Sequence, residues 1–214
     1  VKPADIHRFF EDLGRRIEFP VQIVLTGAAA GILQGMTRAT LDIDFEIRLK
    51  GAGKPNTEDS WEHLQRAIAA TARATGITPQ YAEDIDAWSM IALPAKRSRL
   101  YRRFGKAEVR ILDPALWALG KLTRYLSTDI QDLRTVLKHS QSDPHAAVKV
   151  WGTALGISPV SSSQTTFRKQ VEAFLDQYAR DIWGRAASPD TLKQLFMTSA
   201  QKARKRRRMA DSGK

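Results

Sequence analysis

The sequence predicts an α/β (α+β) protein, a small mixed β-sheet core followed by a helical C-terminal region. Short β-branched or alternating runs, at Val21–Thr26, at Leu41–Leu49 and on either side of Gly105, are confined to the first half of the chain. Helical periodicity fills the spaces between them. From Asp113 onward every apolar pattern repeats at three and four residues. That change divides the chain into a core at 1–113 and a helical domain at 114–214 that ends in a basic tail.

Each element has a local reason. Ile6, Phe9, Phe10 and Leu13 recur at i, i+3, i+4 and i+7, so residues 3–14 read as an amphipathic helix, with Pro3 in its first turn and Gly14 near its end. Val21–Thr26 is a continuous β-branched run that suits a strand buried on both faces, and Gly27 stops it. Ala28–Gln34 reads as a short helix. Leu41–Leu49 then alternates Ile43, Phe45, Ile47 and Leu49 against Asp42, Asp44, Glu46 and Arg48, the period of a strand with one core face and one acidic face. After a turn-like stretch at 50–60, Trp61, Leu64, Ile68 and Ala72 keep helical spacing as far as Gly76, which makes a crossover helix. Trp88–Leu93 reads as a further strand. Arg99–Phe104 and Lys106–Leu112 read as a hairpin turning at Gly105.

Asp113 and Pro114 open the helical part as N-cap and first helical residue. Thr128 and Gln131 have capping-box spacing at the start of the next helix. Residues 144–156 and 164–184 follow as helices, and Ser188-Pro189-Asp190 opens a last one. The stretch SPVSSSQTT at 158–166 is the best linker candidate, and no internal repeat is visible.

Composition narrows the chemistry. A chain of 214 residues with 43% hydrophobic content can build a real core. No apolar run approaches the roughly 18 residues that span a bilayer. The opening VKPADIHRFF lacks a signal-peptide pattern, so a cytoplasmic protein without membrane contact is expected. With no cysteine, a disulfide framework or a thiolate metal site is impossible, and His7, His63, His139 and His145 show no ligand spacing. Any metal must therefore be held by carboxylates. The segment KARKRRR at 202–208 supplies six of the eleven net positive charges and suits a phosphate backbone or an acidic partner.

Asp42 and Asp44 are two apart in a strand, so their carboxylates point to one side, with backbones about 6.6 Å apart at roughly 3.3 Å per residue. Such a pair can bracket the metals of a phosphoryl-transfer site. A glycine between strand and helix offers unpaired backbone N–H groups at the positive end of a helix dipole, a place for phosphate. On this reading Gly27 admits a triphosphate, and Asp42 and Asp44 hold its metals. Between Lys96 and Arg110 the hairpin carries Arg99, Arg102, Arg103 and four further basic residues against one acid, a charge that suits a polyanionic acceptor. Tyr101 and Phe104 are candidates to stack on its bases.

TGAAAGILQGMTRATLDIDFEI, residues 26–47, resembles the signature of the DNA polymerase β-like nucleotidyltransferase superfamily, a Gly-[Gly/Ser] turn, a spacer and Asp-x-Asp. Within it the chain is most similar to small bacterial nucleotidyltransferases of the AbiEii type and uncharacterised relatives. These carry an arginine and a Thr/Ser before Asp-x-Asp, here Arg38 and Thr40. They also carry a lysine helix followed by an Asp-rich helix start, to which ALGKLTRYLSTDIQDL is similar with Lys121, Arg124, Asp129 and Asp132. The resemblance covers roughly residues 20–137. It implies nucleotide binding by Gly27, Ala28, Arg38, Thr40 and Lys121, and catalysis through Mg2+ or Mn2+ held by Asp42, Asp44 and a third carboxylate from a later strand. Glu108 is the best match for that third acid; Asp86 and Asp113 are weaker ones, Asp113 being well explained as a helix cap. Ala28 departs from the pattern by placing a methyl where the relatives have Gly or Ser.

The function expected is transfer of NMP from an NTP to RNA, such as tRNA, or to a protein, as a component of a toxin–antitoxin or phage-defence pair with a cognate antitoxin. Arg99, Arg102, Arg103, Lys205, Arg206 and Arg207 are the expected nucleic-acid contacts. The alternative is a degenerate nucleotidyltransferase fold that binds RNA or a partner protein without turnover.

Overall fold

A computed structural model describes residues 1–49, 57–83, 90–94 and 97–211. The chain forms two compact units, Val1–Ile85 with Ser98–Leu112, and Asp86–Arg97 with Asp113–Lys214. The first is a mixed α/β unit of α1 (Pro3–Arg16), β1 (Val21–Leu25), α2 (Gly27–Ile32), β2 (Asp42–Leu49), α3 (Thr57–Thr75), β3 (Thr78–Ala82), β4 (Ser98–Phe104) and β5 (Ala107–Leu112). Its five strands lie in the order β3-β2-β1-β5-β4. β1 runs antiparallel to β2 and parallel to β5, β2 is parallel to β3, and β4 is antiparallel to β5. The helix expected as a crossover is one, since α3 joins the parallel pair β2 and β3.

One sheet face carries Ile23, Leu25, Ile43, Phe45, Ile47, Val109 and Ile111, all buried. The apolar stripe of α1 closes over it. Ile6, Phe9, Phe10 and Leu13 are fully buried, and Phe9 and Phe10 meet Phe45 at ring separations of 6.2 and 5.7 Å. Each such side chain removed from water contributes about 1.5–3 kcal/mol, which is what holds α1 to the sheet. The opposite face alternates polar, with Gln22, Asp42, Asp44, Arg48, Glu108 and Arg110 half-buried.

Two expectations about the strands are corrected. Of the strand expected at Trp88–Leu93, residues 88 and 89 lie outside the described residues, and 90–93 form no strand. Ile91 is instead buried, and the Ala92 N–H donates to Ser158 Oγ at 2.9 Å, within the second unit. The extra strand is β3, Thr78–Ala82, an edge strand of five residues. Pro79 can sit there because an edge strand leaves one row of backbone groups unpaired.

The second unit holds α4 (Pro114–Arg124), α5 (Ser127–His139), α6 (Pro144–Ile157), α7 (Ser162–Trp183) and α8 (Pro189–Asp211). Asp113 caps α4, accepting from the Ala115 N–H at 3.0 Å; Asp143 and Ser161 do the same for α6 and α7. The capping box expected of Thr128 and Gln131 does not form, because α5 begins at Ser127 with Leu126 in the cap position. The segment at 158–166 is no linker. It is a tight α6–α7 turn in which the buried Gln164 amide donates to the carbonyls of Leu155 and Ser158. A Cβ added at Gly152 would stand 2.3 Å from the Phe196 carbonyl and one at Gly156 2.3 Å from that of Ala200, so two glycines a helical turn apart let α6 and α8 touch backbone to backbone. Among the described residues no helix is long and apolar enough to cross a membrane.

Candidate active site

β1 ends where β2 begins, and this brings Gly27, Asp42 and Asp44 to one end of the sheet. The Thr26 N–H donates to the Asp44 carbonyl at 3.0 Å. Gly27 then turns the chain into α2 at φ +53°, and a Cβ there would stand 1.9 Å from Asp44 Oδ2. Glycine is required twice over, by the left-handed backbone and by the carboxylate lying against it. Ala28 follows in the first turn of α2, half-buried, and Thr26 makes no side-chain cap to the helix.

Asp42 is braced from two sides. The Thr40 hydroxyl donates to Oδ1 at 2.8 Å, and the Gln80 amide donates to Oδ2 at 2.6 Å. Thr40 thus acts on the carboxylate rather than standing apart from it. Arg38 is exposed on the loop between α2 and β2.

The register excludes Glu108 from this group. Gln22 pairs with both Arg48 and Glu108, whereas Asp44 lies beside Thr26, four residues further on, just past the end of β1. Four residues of strand and two strand spacings put Glu108 on the order of 16 Å from Asp44. Its carboxylate accepts instead from Gln22 at 2.9 Å, Arg110 at 3.1 Å and Arg103 at 3.3 Å, as the hub of a cross-strand network. Of the other candidate third acids, Asp113 is the cap of α4, and Asp86 lies outside the described residues. The later strand that does adjoin β2 is β3, where Gln80 pairs with Asp44 in register, so the side chain it brings beside the aspartates is an amide. Glu46, expected on an open acidic face, is only 1% exposed and pairs with Arg48.

Lys121 is also corrected. It is 4% exposed, and its ammonium bonds Asp132 at 2.8 Å and Asp129 at 3.0 Å beside the ring of Trp117. Arg124 adds a second bond to Asp129 at 2.7 Å. Burial opposes the charge of Asp129, yet the bonds from Arg124 and Lys121 prevail and hold its carboxyl below the usual range. A lysine committed to two buried carboxylates braces α4 against α5 and is not offered to a phosphate.

Arg99, Arg102 and Arg103 are exposed on the edge strand β4, with Arg103 shared with Glu108 and Arg102 set over Phe104 at 5.5 Å. Phe104 is buried beside Phe10, and the Tyr101 hydroxyl bonds His7, so these rings belong to the α1 packing rather than to a base-stacking platform. Lys205 and Arg206 are exposed on α8, and Arg207 donates to the Ile157 carbonyl at 2.6 Å. Sequence reasoning missed Gln80 because TPQYA is too short and proline-bearing to show a period; the polar residue four after the helix-ending Gly76 was the only signal.

No family model, curated protein or solved structure matches this chain.

Proposed function

We propose that this chain is a metal-dependent nucleotidyltransferase that moves NMP from an NTP to an RNA or protein acceptor. One observation carries the reading: Gly27, Asp42 and Asp44 converge at one end of the sheet, with the Asp44 carboxylate against the glycine turn and Asp42 oriented by Thr40 and Gln80. The donor set fits Mg2+ or Mn2+. Among the described residues no cluster of three or more acidic or histidine side chains could hold a metal, and two carboxylates are what Mg2+ uses when substrate phosphates and water complete its shell. Asp42 and Asp44 would hold the ion, which when bound supplies neutralisation of charge on the phosphoryl oxygens.

The chain's own residues then act by positioning. Thr40 and Gln80 fix the Asp42 rotamer, Gly27 lets the Asp44 carboxylate lie against the turn, and the exposed Arg38 places a cation on the neighbouring loop. Gln80 favours a second reading, a binding module without turnover, because an amide cannot take the proton of an attacking hydroxyl.

The deciding experiment incubates the protein with each α-labelled NTP, total RNA and Mg2+ or Mn2+, beside Asp42→Ala/Asp44→Ala. Label entering RNA or protein only with both aspartates intact supports the enzyme. Absence of label, with RNA or protein bound equally well by the double variant, supports the binding module.

A further inference from the structure

A groove of the second unit lies between α6 and α8, and it is independent of the chemistry of the sheet. Because Gly152 meets Phe196 and Ser199 while Gly156 meets Ala200 and Ala203, the two helices run in the same direction. Their facing stripes enclose about 540 Å³. Ile157, Leu195 and Ala203 give it an aliphatic floor, flanked by the hydroxyl-bearing Thr153, Thr198 and Ser199. The rim is cationic, with Lys149 on α6 and Lys202 and Arg206 on α8, while Arg207 beside them is held to the Ile157 carbonyl. Among the described residues that line it there is no acid and no aromatic ring. From Leu195 to Arg206 the stripe runs about 16 Å at 1.5 Å per residue, three helical turns.

We propose that this groove seats an acidic amphipathic helix of a partner protein, its apolar face on the aliphatic floor and its carboxylates against the lysines and arginine of the rim. Two aligned helices with a trough between them present the surface into which a third helix packs, with anchors at i, i+3, i+4 and i+7. The charges of Lys149, Lys202 and Arg206 are complementary to the carboxylates of an acidic helix. Nucleic acid fits less well. A phosphate backbone gains nothing from an aliphatic floor, and a single strand seeks aromatic faces for its bases, which this groove lacks. The neighbouring cations Lys205 and Arg208 are the internal control, since they carry the same charge on the same helix but do not line the groove.

The test uses the full chain and a fluorescein-labelled peptide with leucine at i, i+3, i+4 and i+7 and glutamate elsewhere. Its partners are the same peptide with lysine for glutamate, and poly(U). Fluorescence anisotropy should show binding of the glutamate peptide and none of the lysine peptide. Lys202→Glu/Arg206→Glu should weaken that binding at least about tenfold, whereas Lys205→Glu/Arg208→Glu should change it less than about threefold. Leu195→Ser should weaken the peptide and leave poly(U) unaffected; should circular dichroism show that variant unfolded, the paired charge reversals at exposed positions decide alone. Failure of the glutamate peptide to bind, equal loss in both charge-reversed pairs, or binding of poly(U) that is lost with the groove pair and unaffected by the peptide would overturn the proposal.

Discussion

Gln80 decides whether Asp42 has an amide or an acid for a neighbour. With Gln80 donating at 2.6 Å, Asp42 stays oriented without a competing charge. Gln80→Glu would set two carboxylates side by side, an arrangement that repels until a cation enters. Mn2+ affinity measured by calorimetry should rise at least about tenfold in that variant, since ligand charge sets the affinity of such sites. Unchanged affinity would show that position 80 braces Asp42 and contributes nothing to a metal. Gly27→Ala tests the turn. The left-handed backbone alone costs about 1–2 kcal/mol with a Cβ present. The Cβ would also displace the Asp44 carboxylate from 1.9 Å. The melting temperature of this variant should fall, and under the proposed function nucleotidyl transfer should disappear with it; an unchanged melting temperature would mean that Asp44 is not held by the turn.

At the scale of elements, the joint between α4 and α5 rests on a buried charge cluster. Tyr125 closes α4 at φ +55°, which turns the chain so that α5 brings Asp129 and Asp132 onto Lys121. Removing one member of a buried pair leaves uncompensated charge, and Lys121→Met should cost about 3–5 kcal/mol in urea unfolding. Replacing the lysine and both aspartates together by apolar residues should recover most of that loss, since a satisfied apolar core needs no ions. A lysine that merely reached into solvent would show neither effect. The same scale explains the hairpin. Its basic residues looked like one open surface, but Arg103 and Arg110 turn to Glu108, and the rings of Tyr101 and Phe104 go to α1.

For the molecule as a whole, the net charge of +11 makes acid the natural stress. The folded-state carboxyl of Asp129 lies below its ordinary value, and those of the exposed Asp143 and Asp181 do so through solvent-screened contacts that add little. A depressed folded value means that the unfolded chain binds the proton first. The stability these groups contribute is therefore complete above the unfolded value of about 3.9 and is lost as pH falls through the lower folded values. Thermal melts between pH 7 and pH 3 should show a steep fall at the acid end, and Asp129→Asn should be less stable at pH 7 with a shallower fall; an unchanged slope would remove Asp129 from the account. Much of this architecture was legible beforehand, for reasons that are local. The stripe Ile6, Phe9, Phe10, Leu13 predicts α1, the alternation from Leu41 to Leu49 predicts β2, and Asp113-Pro114 predicts the start of α4, because each pattern is written within a few residues. The Asp42 and Asp44 pair and the Gly27 turn were legible for the same reason. What only the tertiary structure decided depends on residues far apart in the chain. Strand register carries Glu108 away from Asp44 and brings Gln80 beside it, and one left-handed residue buries Lys121 between two aspartates. Periodicity tells which face a side chain occupies; pairing between strands and the turn between helices decide what stands next to it.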